Sequence, residues 1–305
     1  GFEICLCCNY RLAWEGKSVV VGLPEVTLGL MPGAGGVVRM TQLLGVEAAL
    51  PYLLEGRAIP AKQALDAGLI DETVDTIDEL LPRAKASILA NQDNPDTAVQ
   101  PWDKKGFAIP GGSANSPEVA AKIAMAAVTL RKKTRGLLPA PEHILEVASE
   151  AARLDIDTAL RIEGRHFAAL VPTAVAKNMI TANFFQMNEV KGGASRPQGI
   201  AKTRIKKLGI IGAGMMGQGI AHVSALVGIE VILKDMSLEA AEKGKAYSNA
   251  VMDKLISRGR FDAVKKQPVL NLIKPTDNDQ DLQGCDLIIE AVFEKLSLKK
   301  QIIQS

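Results

Sequence analysis

Leu208-Gly-Ile-Ile-Gly212-Ala-Gly214-Met-Met-Gly217 is the stretch whose reading decides the fold. A short apolar run, Leu208 to Ile211, leads directly into glycines spaced G-x-G-x-x-G. An apolar helical pattern follows through Ile220, Val223, Ala225 and Val227, and then a strand pattern, Glu230-Val-Ile-Leu-Lys-Asp235, ends in a carboxylate. That order is the one a dinucleotide site requires. The first glycine allows the tight turn, the second lets backbone approach a pyrophosphate, and the third lets the helix pack close to the strand. The helix start at Met215 and Met216 offers unpaired N–H groups and a partial positive charge to phosphates. Asp235 lies eighteen residues past Gly217, within reach of the ~20-residue spacing to a ribose-binding acid. Asp235 could instead cap the next helix, but Ser237 is a good competing cap and leaves the carboxylate free. A carboxylate there repels a 2′-phosphate, so the residues predict NAD rather than NADP.

Composition bounds the rest. A chain of 305 residues has room for two domains. The 47% hydrophobic and 23% charged content is ordinary for a soluble globular protein, and 4% aromatics predicts a core of Ala, Val, Leu and Ile. A net charge of +2 argues against a strong nucleic-acid or membrane field. No apolar run approaches the ~18 residues a membrane span needs. Cys5, Cys7, Cys8 and Cys285 fit no zinc spacing, and the expectation is buried thiols in a reducing compartment. His143 and His166 have no evident nucleophile or metal partner, and His222 falls on the helix after the glycine loop; all three are expected to be packing or surface residues, with no metal bound.

Upstream, Glu3 to Leu12 reads as a helix and Ser18 to Leu23 as a strand. Pro24-Glu25 and Gly29-Leu-Met-Pro-Gly-Ala-Gly-Gly36 follow, then a helix through Met40 and Leu44, with Arg39 just inside it. Ala48 to Leu54 resumes helical periodicity, Ala61 to Ile70 is another helix stopped by Gly68, and Asp71 to Val74 is a strand edge. Between residues 91 and 204, loop chemistry at Asn91 to Asp96 and Pro110 to Pro117 gives way to helical patterns over 119–130, 142–153, 158–170 and 172–188. A basic run, Lys202, Arg204, Lys206 and Lys207, reads as a solvated face. Beyond Asp235, the patterns give a helix over 239–255, a strand over 270–274 and a buried strand beginning at Asp286.

The Pro24-Glu25, Gly29–Gly36 and Arg39 pattern, with Ala61-Lys-Gln-Ala-Leu65 and Gly68-Leu-Ile-Asp71, resembles the crotonase (enoyl-CoA hydratase/isomerase) family. The resemblance implies catalytic carboxylates at Glu3, after a glycine-rich turn, and at Glu25. Two glutamates with separated pKa values suit hydration of an α,β-unsaturated thioester: one takes a proton from water and the other protonates the α-carbon. The Pro-Gly-Ala-Gly-Gly turn is placed near the thioester on the same reading. The stretch from Glu290 to Lys299 resembles the NAD-binding half of 3-hydroxyacyl-CoA dehydrogenases, which implies that Glu294 and Lys299 lie beside the cofactor. The helical stretch between them resembles the linker of fatty-acid oxidation multifunctional proteins.

The expected fold is therefore α/β. Residues 1–90 form the C-terminal part of a crotonase-like domain, 91–204 a helical linker, and 205–305 the N-terminal part of a Rossmann-type NAD-binding domain. The implied function is hydration of 2-enoyl-CoA followed by NAD-dependent oxidation to 3-ketoacyl-CoA. Acyl-CoA substrates, a thiolase β subunit as partner and a cytoplasmic location come with it. NAD would be held by Gly212, Gly214, Met215, Met216, Gly217, Asp235, Glu294 and Lys299. The chain opens at Gly1-Phe-Glu3 and stops at Ser305 inside a helical pattern. It therefore reads as an internal piece, in which an oxyanion-hole donor upstream and the dehydrogenase histidine downstream are missing. Both activities are accordingly expected of the longer parent, and the piece alone is expected to be inactive. The alternatives are a non-catalytic NAD- or acyl-CoA-binding module, and an enoyl-CoA isomerase.

Overall fold

The computed structural model describes residues 1–304 apart from Gln198 and Lys202; Lys202 of the basic run and Ser305 at the end of the expected NAD-binding domain lie outside the described residues. Two compact units result, Gly1–Arg196 and Pro197–Ser305.

The first unit begins with helix α1 (Phe2–Leu6), strand β1 (Leu12–Trp14), strand β2 (Val20–Val21) and a 3-10 turn over Glu25–Leu28. Helices α2 (Gly36–Leu44) and α3 (Val46–Glu55), strand β3 (Ile59–Pro60), helix α4 (Ala61–Asp66), strand β4 (Glu72–Val74) and helix α5 (Leu80–Asn91) follow. Then come α6 (Pro117–Thr134), α7 (Pro139–Ala151), α8 (Ile156–Leu170), α9 (Ala174–Ile180), a π turn over Thr181–Gln186 and α10 (Met187–Gly192). Helix α6 starts two residues before the expected Val119, capped by Ser116, whose side chain accepts the Val119 N–H. Helix α7 starts three residues before the expected Glu142. Pro139 and Pro141 sit in its first turn, where a missing N–H costs nothing.

Strand β1 pairs parallel with β4, Leu12 opposite Glu72 and Trp14 opposite Val74. The pair is anchored at its start by Arg11, whose N–H donates to Asp71 Oδ2 at 2.7 Å and whose guanidinium reaches Asp71 Oδ1 at 3.0 Å. This anchoring is why the helix expected over 3–12 stops at Leu6. The expected strand over 18–23 shrinks to Val20–Val21, because its antiparallel partner β3 ends at Pro60, which has no N–H to extend the ladder.

One hydrophobic core runs through this unit. Leu53, Met31, Val37 and Met40 from the first ninety residues share it with Val119, Leu130, Ile144, Val147, Ala148, Ala159 and Leu170 from α6, α7 and α8. Helix α7 packs on both α2 and α3, and α8 on α2. The stretch expected to be a linker thus supplies one wall of that core.

The second unit runs β5 (Lys207–Ile211), α11 (Met215–Leu226), β6 (Glu230–Lys234), α12 (Leu238–Ser257), α13 (Ala263–Asn271), β7 (Ile273–Thr276), β8 (Leu287–Glu290) and α14 (Leu296–Gln304). Its four strands form a parallel sheet in the order β7-β6-β5-β8. The centre of β5 is buried, with Leu208 and Ile210 packing against Ala221, Ala225, Val231, Leu233 and Ile273. Helices α11 and α12 lie against each other and against the sheet.

Two strand expectations are corrected. The strand expected from Leu270 begins at Ile273, because Asp262 accepts the Val264 N–H and starts α13, which keeps Leu270 helical. The run from Asp286 was expected to be buried. As an edge strand, β8 instead leaves Leu287 46% and Ile288 49% exposed. The three N-terminal thiols are corrected as well. Cys5, Cys7 and Cys8 are exposed, since α1 turns only Leu6 fully inward. No helix among the described residues is long and apolar enough to cross a membrane.

Shortening Ile144 to alanine would leave a cavity beneath α7 at a position fully removed from solvent. The expected cost is about 2–5 kcal/mol, borne by the first unit alone. Differential scanning calorimetry should show one transition lowered and the other unmoved; two unchanged transitions would mean that α7 is not part of that core.

Candidate functional site

Two helix starts dominate the chemistry, and they are solved in opposite ways. The first is the turn Pro32-Gly-Ala-Gly-Gly36 leading into α2. Gly35 takes φ 94° there, a left-handed conformation that glycine adopts without steric cost. The N–H groups this turn exposes are taken up by carboxylates. Glu3 Oε1 accepts from Ala34 N–H and from Gly36 N–H, each at 2.8 Å. Glu163, reaching across from α8, accepts from Gly35 N–H at 2.5 Å and from Val38 N–H at 2.9 Å. The turn expected near a thioester is, in this structure, bound to two side chains of the chain itself. Arg39 folds back to donate to the Ala34 carbonyl at 2.9 Å.

Glu163 is 1% exposed and carries no sequence signal: it sits in an amphipathic helix pattern with nothing to mark it as a cap for a helix more than a hundred residues away. Burial pushes its carboxyl up to about 7, against the two N–H donors, which favour the carboxylate. Glu25 opens the 3-10 turn after Pro24. Burial raises its carboxyl above the ordinary range, and the nearby charge of Glu3 adds to the rise. Its Oε2 is buried with no hydrogen-bond partner in the structure. Glu3 and Glu25 are thus electrostatic neighbours, brought together by the packing of α1 against α2 and the turn after β2. Val26 and Thr27, which follow Glu25, form part of the wall of an apolar cleft of about 750 Å³ between α3 and α6; neither Glu3 nor Glu25 lines it.

The second helix start is that of α11. Gly212 has φ 101°, and a Cβ there would lie 2.8 Å from the Ala291 carbonyl oxygen. At Gly217 a Cβ would come within 1.7 Å of the Gly212 carbonyl oxygen, so only glycine lets α11 approach the loop. A Cβ at Gly214 would meet open space instead, and no side chain caps the helix that begins after it. Met215 and Met216 are exposed on the first turn. Asp235 sits at the end of β6. Its Oδ2 accepts the Ala213 N–H at 2.6 Å and its Oδ1 the Met236 N–H at 2.7 Å, while Ser237 caps α12 as expected. The carboxylate therefore braces the glycine loop from the position where a ribose-binding acid is required. A loop that excludes Cβ atoms, an uncapped helix start and an acid at the next strand end together fit a dinucleotide pyrophosphate and ribose.

At the end of β8, Lys299 bridges Glu290 and Glu294, both at 2.9 Å. Glu294 and Lys299 are therefore brought together, and Glu290, the first residue of the same stretch, joins them. His222 is a packing residue, buried on α11 edge-to-face with Tyr247, and burial lowers its pKa. His143 and His166, expected to be packing or surface residues, face each other: their Nδ1 atoms lie 2.9 Å apart, with Glu146 beside them.

Comparison with known proteins gives two families in tandem. Residues 1–104 match the family model for enoyl-CoA hydratase/isomerase, and residues 207–305 match that for the NAD binding domain of 3-hydroxyacyl-CoA dehydrogenase. Among solved structures, the (S)-3-hydroxybutyryl-CoA dehydrogenase PaaH1 from Ralstonia eutropha is 38% identical over 33% of this chain and 35% of its own, with a TM-score of 0.32. The 3-hydroxybutyryl-CoA dehydrogenase from Escherichia coli K12 is 33% identical over 33% of this chain and 21% of its own, with a TM-score of 0.32. The carnitinyl-CoA hydratase from Mycobacterium avium is 23% identical over 67% of this chain and 58% of its own, with a TM-score of 0.35. The chain spans about a third or less of the length of the two dehydrogenases.

The raised carboxyl of Glu163 makes a pH prediction. Between the ordinary glutamate range and about 7, the folded chain holds a proton that the unfolded chain has released. Stability from this group is complete below the unfolded pKa and declines as pH rises through about 7. The Glu163→Gln variant should lose that slope in urea midpoints measured from pH 4 to 8; an unchanged slope would place the titration elsewhere.

Proposed function

We propose that this chain, which carries an enoyl-CoA hydratase/isomerase segment followed by a 3-hydroxyacyl-CoA dehydrogenase NAD-binding segment, serves two consecutive steps of fatty-acid β-oxidation: hydration of a 2-enoyl-CoA and NAD-dependent oxidation of the 3-hydroxyacyl-CoA formed. The observation that carries the reading is the occurrence of both segments in one chain, since the product of the first chemistry is the substrate of the second. The proposed division is 1–90 for the hydratase part, 91–204 for the helical connection and 205–305 for the NAD-binding part.

In hydration, water adds across the double bond: its oxygen bonds to the β-carbon and a proton goes to the α-carbon. We assign the α-carbon proton to Glu25, whose buried carboxyl retains its hydrogen more readily than an ordinary glutamate. Glu3, oriented by the Ala34 and Gly36 N–H groups, takes the proton from water. Glu163 is the positioning residue that holds the same turn from the other side.

For NAD, the backbone at Gly212, Gly214, Met215, Met216 and Gly217 would receive the pyrophosphate, and Asp235 the adenosine ribose. Glu294 and Lys299 would lie at the cofactor's edge. When bound, NAD supplies the hydride acceptor. The chain's own residues bind and orient it, and the Asp235 carboxylate disfavours a 2′-phosphate by charge repulsion. A thiolase subunit as partner follows from the family resemblance and from the 3-ketoacyl product, which a thiolase consumes. A cytoplasmic location is supported by the free, exposed Cys5, Cys7 and Cys8.

In a chain extended to carry the upstream oxyanion-hole donor, hydration of a short 2-enoyl-CoA, followed by loss of its ultraviolet absorbance, should fall by about 10²–10⁴ in Glu25→Gln if the carboxyl transfers a proton. An unchanged rate would remove Glu25 from the chemistry. A double-bond shift without uptake of labelled water would favour an isomerase. Equilibrium titration should show Asp235→Ala weakening NAD much more than NADP; an equal loss for both would refute the ribose assignment.

A further inference from the structure

Helices α7 and α8 pack side by side, joined by a connection of only four residues, and bring together three groups that the hydratase and dehydrogenase chemistry leaves unused. His143 and Glu146 are three residues apart on α7 and so share one face of it. His166 faces them from α8, one helical turn beyond Glu163. The two Nδ1 atoms are 2.9 Å apart, His166 Nδ1 is 3.5 Å from Glu146 Oε2, and the three atoms all lie within 4.8 Å of one another. Both imidazoles are half-buried, and the rings meet edge-on with centroids 4.9 Å apart, so their nitrogens converge rather than stack. The neighbouring Glu142 is engaged by Arg131 at 3.0 Å and is not part of the group.

One hydrogen cannot satisfy this arrangement. If His143 Nδ1 carries it and donates to His166, Glu146 Oε2 faces the lone pair of His166; if His166 carries it, His143 and Glu146 compete for it. A divalent cation accepts all three lone pairs at once. In a tetrahedral zinc site with bonds of about 2.0–2.1 Å, ligand atoms stand about 3.3 Å apart, between the spacings of the His143–His166 and His166–Glu146 pairs, and the third pair lies within 4.8 Å.

We propose that His143, Glu146 and His166 form a zinc site that ties α7 to α8. Two imidazoles and a carboxylate are a known donor set for this ion, and the fourth position is left to solvent. A histidine and a glutamate three apart on one helix, joined by a histidine from its neighbour, use helix-bundle geometry to converge on one point. The ion would cross-link the helix that presents Glu163 to its neighbour in the shared core, so its first effect is on stability.

The test is calorimetric titration of the whole chain with zinc chloride, together with the absorption spectrum of the Co²⁺ form. The expected result is one ion per chain, a Co²⁺ spectrum of nitrogen and oxygen ligands without thiolate charge transfer, and a rise in the melting temperature of the first unit. His143→Ala and His166→Ala should each weaken zinc by about tenfold or more. Glu146→Gln, at a largely exposed position that leaves folding intact, should weaken it as well. Absence of binding, a thiolate band from Cys5, Cys7 or Cys8, or affinity undiminished in His166→Ala and Glu146→Gln would overturn the proposal. The histidines would then be a hydrogen-bonded pair.

Discussion

The N–H groups at a helix start must find acceptors, and the way this chain meets that demand organises it. At α2 the acceptors are internal: Glu3 from α1 and Glu163 from α8 hold Ala34, Gly35, Gly36 and Val38 between them. Helices that begin as much as 120 residues later are thereby tied to a glycine turn in the first forty residues. At α11 no side chain caps the start, and glycines keep the approach open. The same backbone chemistry closes the first helix start into the fold and leaves the second available to an anion.

The cost of the closed arrangement is carried by burial. Glu163 is removed from water, and burial outweighs its two N–H donors and the charge of Arg39, so its carboxyl rises to about 7. Glu25 is raised for the same reason, with the charge of Glu3 added. The charge of Glu3 acts on both Glu25 and Glu163, and the packing of α8 against α2 holds Glu163 at the turn. In the second unit charge is balanced pairwise at the strand ends: Lys234 with Asp279 at 2.7 Å, and Lys299 with both Glu290 and Glu294.

The glycine loop, the strand before it, the helix after it and the acid at the end of β6 are all local, and their residue spacing carries them. The Ser237 cap was legible for the same reason. What failed to show was set by partners distant in sequence. The helix expected over 3–12 ends early because Asp71 captures Arg11, and the strand over 18–23 is cut short by a proline in its partner. The apolar run in β8 looks buried, yet its position at the sheet edge exposes Leu287 and Ile288.

The sequence by itself determined where the glycine loop before α11 forms and where most helices begin. Turn conformation, capping and helical periodicity depend on residues within a few positions of one another, so a linear pattern records them. Only the tertiary structure decided that the helices between the two motifs complete the first core, that Glu163 is a buried cap for α2, and that His143, Glu146 and His166 meet. Those facts depend on which faces of α7 and α8 turn toward α2 and toward each other. That choice is made by burying Ile144, Ala148, Ala159 and Leu170 together, and it has no signature in the spacing of the polar residues it brings into contact.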